Sequence, residues 1–94
     1  LLERVRAYVV AAQGKLKRMR YHDEYATLGF ELDANPDIPM PTIVFLPRRR
    51  FPAISVTADT PIRWSFDAGR QYAEIWCSRT GSTQVEIVAQ GASP

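Results

Sequence analysis

The sequence predicts an α+β domain, with an N-terminal amphipathic helix packed on an antiparallel β-sheet meander of about five or six strands. Three observations point to it. Leu2, Val5, Val9, Ala12, Leu16 and Met19 recur at spacings of three and four, the period of a helix with a narrow apolar seam. After Tyr21 the pattern changes to apolar–polar alternation, the period of a half-buried strand, and stays so to the end. The 94 residues are 46% hydrophobic and 23% charged, ordinary globular usage that disfavours disorder, and they are too few to support two cores. The expected organisation is a single domain over 1–94, with a helix over 1–21, a sheet over 26–90 and a flexible tail at 91–94.

Each element follows from its residues. The helix carries Glu3, Arg6, Gln13, Lys17 and Arg20 on the face opposite the seam, and its positive charges gather in the last turn, where they meet the negative end of the helix dipole. Gly14 costs a helix interior about 1 kcal/mol relative to Ala. Tyr8 and Val10 widen the apolar surface, so they are expected to face a neighbour. The chain opens on helix interior, Leu1-Leu2-Glu3, without a capping residue, which predicts a helix that starts ahead of Leu1 in a trimmed chain.

Leu28, Phe30 and Leu32 alternate with Thr27, Gly29 and Glu31, a strand near 26–32. Three prolines between Asp33 and Pro41 make that segment a loop. Thr42–Leu46 is a continuous apolar run of strand length, expected to be covered on both faces, and Pro47 ends it ahead of Arg48-Arg49-Arg50. Ile54 and Val56 mark the next strand. Ile62, Trp64 and Phe66 point to the core in the one after it, with Asp67-Ala68-Gly69-Arg70 as a hairpin turn and Gly69 available for a positive φ. Ala73, Ile75 and Cys77 face inward on the return strand. Thr80-Gly81-Ser82 forms a second hairpin turn, and Val85 and Ile87 face inward on the last strand.

Candidate chemistry is sparse. One histidine, His22, sits at the helix end beside Asp23 without a nucleophile to serve, and Cys77, on an inward strand face, behaves as a small buried hydrophobe. One Cys and one His exclude both an internal disulfide and a zinc site. Asp33, Asn35 and Asp37 alternate as calcium ligands do, but Ile38 stands where the loop glycine belongs, so turn formation accounts for them. The sequence therefore predicts no catalytic residue, no metal ligand and no cofactor. The net charge of +2 is too small to require a polyanionic partner, but it is unevenly spread: residues 1–22 carry +5 and residues 23–47 carry −5, which favours docking between elements. A basic patch of Lys15, Lys17, Arg18, Arg20, Arg48, Arg49 and Arg50 is the candidate nucleic-acid surface. Tyr72 and Trp76 lie opposite the Ile75 face and, with Tyr8 and Val10, are the candidate protein-interaction residues.

This layout resembles the soluble headpieces of type IV pilins and bacterial type II secretion minor pseudopilins, H-type or FimT-like. Leu2 to Arg20 stands as the retained amphipathic half-helix, and Ile62-Arg-Trp-Ser-Phe-Asp-Ala-Gly69 is similar to the strand and Asp-x-Gly turn that open the terminal hairpins. The resemblance implies a non-enzymatic subunit acting in filament assembly or protein secretion. Its partners would be other subunits, its membrane contact would run only through a segment ahead of Leu1, and its place would be the inner membrane or periplasm. The alternative is a small cytoplasmic nucleic-acid-binding or regulatory module that uses the basic clusters.

Overall fold

The structure, a computed structural model, describes residues 7–90, which build two four-stranded antiparallel sheets around one apolar layer. Sheet A contains β1 (Tyr8–Ala11), β4 (Thr42–Phe45), β7 (Tyr72–Cys77) and β6 (Ile62–Asp67), in that spatial order. Sheet B contains β2 (Gly14–His22), β3 (Thr27–Ala34), β8 (Gly81–Gln90) and β5 (Ala53–Ala58), in that order. Leu28, Leu32, Val44, Ile75 and Ile87 reach from the two inner faces into the shared core, with Phe51 closing it from the β4–β5 connection. This is an all-β sandwich.

The expected α+β class is therefore corrected. Among the described residues the sole helical element is a single 3-10 turn, Asp23–Tyr25, and the segment expected as helix forms β1 and β2 instead. The physical reason lies in two β-bulges. In the β1–β4 ladder Val9 pairs with Val44 and Ala11 with Ile43, which leaves Val10 as an extra residue. In the β2–β3 ladder Leu16 pairs with Leu32 and Arg18 with Glu31, which leaves Lys17 extra. Each bulge turns the strand's two-residue period into a local step of three. Val9 to Ala12 and Leu16 to Met19 thus keep to the inward side at helical spacing while the backbone stays extended. Leu2 and Val5, the remaining seam residues, lie outside the described residues, as does the expected tail at 91–94.

Gly14 completes the change. Its φ is +133°, and a Cβ there would stand 2.1 Å from the carbonyl oxygen of Asp33, so only glycine lets β2 start against the end of β3. Gln13, expected on the solvent face of a helix, is 2% exposed. Its side-chain oxygen accepts the Cys77 N–H at 2.9 Å and its amide nitrogen donates to the Ile38 carbonyl at 3.0 Å. Its backbone N–H donates to Thr42 Oγ1 at 3.0 Å and its carbonyl accepts the Asn35 N–H at 2.9 Å. The β4–β7 ladder ends at Thr42 and Ile75, so Gln13 supplies the acceptor that Cys77 would otherwise lack.

Two turn assignments also change. The β6–β7 hairpin forms at the expected place, but Gln71 takes the positive φ, +68°, and Gly69 does not. Thr80–Ser82 makes no hairpin: the chain crosses there from sheet A to sheet B, and β8 pairs with β3 and β5. Trp64 points inward but sits on edge strand β6, where the sandwich is open, and it remains partly exposed.

Candidate functional site

The outward sides of the two sheets differ in chemistry, and the difference follows from register. On sheet A, Tyr8 lies opposite Phe45, and Phe45 opposite Tyr72. Their rings pack in a row, with centroids 5.3 Å apart for Tyr8–Phe45 and 6.0 Å for Phe45–Tyr72. Glu74 lies opposite Ile43 on one side and Ser65 on the other, and Trp76 lies opposite Arg63. The Arg63 guanidinium stands 5.7 Å from the centre of the Trp76 ring, a cation–π contact. The bulge at Val10 pushes its side chain outward beside this row. Tyr8, Val10 and Tyr72 remain 45%, 49% and 42% exposed, which is high for large apolar groups.

The four expected interaction residues, Tyr8, Val10, Tyr72 and Trp76, are thus brought to one face of one sheet. Two of them, Val10 and Tyr72, line a shallow groove of about 500 Å³ together with Ile43, Asp67 and Glu74. Sequence reasoning missed Ile43 and Phe45 as members of this face. Their signal was the unbroken apolar run of β4: Thr42 and Val44 are buried toward the core, so Ile43 and Phe45 must point outward.

Sheet B carries charge instead. Its outer side holds a broader depression of about 860 Å³, with Gly29 on its floor and Arg18, Arg20, Glu31, Gln84 and Glu86 around it. The +5 and −5 segments meet here as neighbouring strands. Lys15 lies opposite Asp33, and Arg18 stands 3.6 Å from Glu31, which also accepts the Ser82 hydroxyl at 2.8 Å. Lys17 is the bulge residue and Arg20 lies opposite Gly29. Arg48, Arg49 and Arg50 form the turn after β4. Arg50 reaches back to the β2–β3 turn, where it bonds the Asp23 carbonyl and stands 3.5 Å from the Asp23 carboxylate. The Arg48 N–H donates to Gln71 Oε1 at 2.8 Å. The basic residues are therefore distributed over a strand and a turn and interleaved with acids, not displayed as one positive surface.

The remaining candidates resolve structurally. His22 ends β2 with its ring 6.4 Å from that of Tyr25. Cys77 is buried, and burial raises its thiol pKa, opposite to the shift a nucleophile needs. Asn35 Oδ1 accepts the Asp37 N–H at 3.0 Å, so it closes a turn, and no cluster of metal-ligating side chains occurs among the described residues. Tyr21 donates to Asp23 Oδ1 at 2.8 Å; burial first, and that bond second, raise its pKa.

Comparison with known proteins gives a consistent result. The sequence model of the glycoside hydrolase family 5 C-terminal domain matches residues 6–88. Among solved structures, endo-glycoceramidase II from Rhodococcus sp. is similar, with a TM-score of 0.75 and 17% identity over 92% of this chain and 19% of that one. Sterylglucosidase 1 from Cryptococcus neoformans is similar too, with a TM-score of 0.74 and 19% identity over 92% of this chain and 14% of that one. The chain thus spans about one fifth to one seventh of the length of these neighbours. No curated protein sequence matches. The resemblance to pilin and pseudopilin headpieces is overturned by the family match and by β1 and β2, which stand where the described part of the expected amphipathic helix would run, and with it goes the filament or secretion role. The nucleic-acid alternative gains no support from the paired charges of sheet B or from the family.

Proposed function

The chain belongs to the glycoside hydrolase family 5 C-terminal domain family, and we propose that it serves as the non-catalytic β-sandwich of a larger glycosidase. The family match carries this reading, since it runs from Arg6 to Val88 and so takes in nearly every strand. The chemistry of the chain is in keeping with it. Glycoside hydrolysis needs two carboxyl groups flanking one bond, one of them free to give a proton. Here Glu31 is held by Arg18 and Ser82, and Asp67 is occupied by its own turn, accepting the Arg70 N–H at 3.1 Å with the Arg70 guanidinium 3.9 Å away. Glu74 and Glu86 stand on outer faces of different sheets, with the core between them. The two neighbouring enzymes are named for sugars attached to ceramide and to sterol, which makes a glycoside with a lipid aglycone the substrate class we propose for the whole enzyme.

The test compares the 94-residue chain with the longer polypeptide that carries it, using a glycosylceramide, a steryl glucoside and a chromogenic glucoside. Hydrolysis by the longer polypeptide and none by the chain alone is the expected outcome. Turnover by the chain alone, or by neither protein, rejects the reading.

A further inference from the structure

We infer that the outer face of sheet A, centred on Tyr8, Phe45 and Tyr72, is the surface against which the hydrolase body of the same polypeptide sits; this rests on the domain assignment above. The face has the make-up of an interface, with an exposed aromatic and aliphatic row of Tyr8, Phe45, Tyr72 and Val10 beside the charged groups Arg63, Asp67, Arg70 and Glu74. The opposite face, by contrast, interleaves basic and acidic residues, with Arg18 paired to Glu31, and exposes no aromatic row. Topology points the same way. The polypeptide enters the sandwich through β1, an edge strand of sheet A, and Tyr8 is its first residue. In a C-terminal domain the enzyme body joins ahead of β1, so it is delivered to this face and not to sheet B.

Tethering favours that body over a second copy of the chain: a body joined to the sandwich in one polypeptide is held beside it at a high effective concentration, which removes most of the entropy cost of association.

Hydroxyl-radical footprinting of the longer polypeptide and of the 94-residue chain, read by mass spectrometry, tests the assignment. Tyr8 and Tyr72 should be modified at least about fivefold more slowly in the longer protein, as expected for side chains in a water-excluded interface centre. Tyr25, 72% exposed on the β2–β3 turn, should react alike in both. In the longer protein, Tyr72→Asp should restore labelling of Tyr8 while leaving the folding of the separate chain nearly unchanged, since Tyr72 points away from its core. Equal labelling of Tyr8 and Tyr72 in the two proteins, with hydrolysis intact, overturns this inference and leaves the proposed function standing. Protection already present in the separate chain, with a doubled mass by light scattering, assigns the face to a second copy and also overturns it. Protection by a body that hydrolyses no glycoside rejects both.

Discussion

Replacing Gln13 by Leu removes two side-chain hydrogen bonds, one buried and one part-buried, without opening a cavity, because the two side chains are close in volume. The first bond satisfies the Cys77 N–H at the point where the β4–β7 ladder has run out. Stranding a buried backbone donor costs about 1–3 kcal/mol. The second, to the Ile38 carbonyl, is only part-buried, so water can replace it and its loss falls at the low end of that range. The sum is about 2–4 kcal/mol, and at about 4–8 °C per kcal/mol for a domain of this size the melting temperature should fall by roughly 8–32 °C. Thermal unfolding followed by the fluorescence of Trp64 and Trp76 reads this directly. Thr42→Val, which removes only the acceptor of the Gln13 N–H, should cost about 1–2 kcal/mol. Gln13→Glu adds a directional check. A protonated Glu can still donate to the Ile38 carbonyl and a carboxylate cannot, so its folded pKa should be raised and its stability lost as pH rises above about 4.3. A Gln13→Leu protein that melts within about 2 °C of the parent would refute the bridging role.

Further outcomes follow from particular sites. Gly14→Ala should cost more than about 3 kcal/mol and yield little folded protein, because its Cβ meets the Asp33 carbonyl oxygen. Gly81→Ala, at φ +117° with nothing within 4 Å of the new Cβ, should cost only about 1–2 kcal/mol; equal costs in equilibrium denaturation would refute the close-approach argument. Cys77 and Tyr21 both have folded pKa values raised chiefly by burial, so each contributes stability that is complete below its ordinary value, 9.0 and 10.0, and is lost as pH rises through the folded one. The melting temperature should therefore decline above pH 9, and a Cys77→Ala, Tyr21→Phe double variant should show a flatter decline. Arg50→Ala should cost no more than about 1 kcal/mol, since its ion pair with Asp23 is largely solvated; a larger drop would mean that this bond fixes the β2–β3 turn.

Much of the sheet was legible because strand alternation is local information. Leu28, Phe30 and Leu32, then Ala73, Ile75 and Cys77, then Val85 and Ile87, face the core as their spacing indicates. The N-terminal segment misled for an equally local reason: bulges at Val10 and Lys17 reproduce the helical step at the two places where it was measured. Two cues opposed the helix, the β-branched Val9-Val10 pair and Gly14 inside the apolar seam. The face formed by Tyr8, Val10, Tyr72 and Trp76 was only half legible. Each pair stood out against its own strand, but their meeting depends on β4 lying between β1 and β7 and so joining two strands more than 60 positions apart that do not pair with each other.

The sequence by itself determined which residues have two-residue periodicity, where prolines and glycines interrupt the backbone, and that no disulfide can form within these 94 residues, because each of these depends on neighbours or on composition alone. Tertiary structure decided the rest: that the +5 and −5 segments are adjacent strands whose charges face one another, that Gln13 is a buried bridge and not a surface residue, and that the hairpin expected at Thr80–Ser82 is a crossing between sheets. The physical reason is the same throughout. Strand order and register are set by which apolar faces can be buried together, a property of the whole sandwich, and the bulge that keeps Val9 and Ala12 packed against the core is favoured by that burial and not by the local chain.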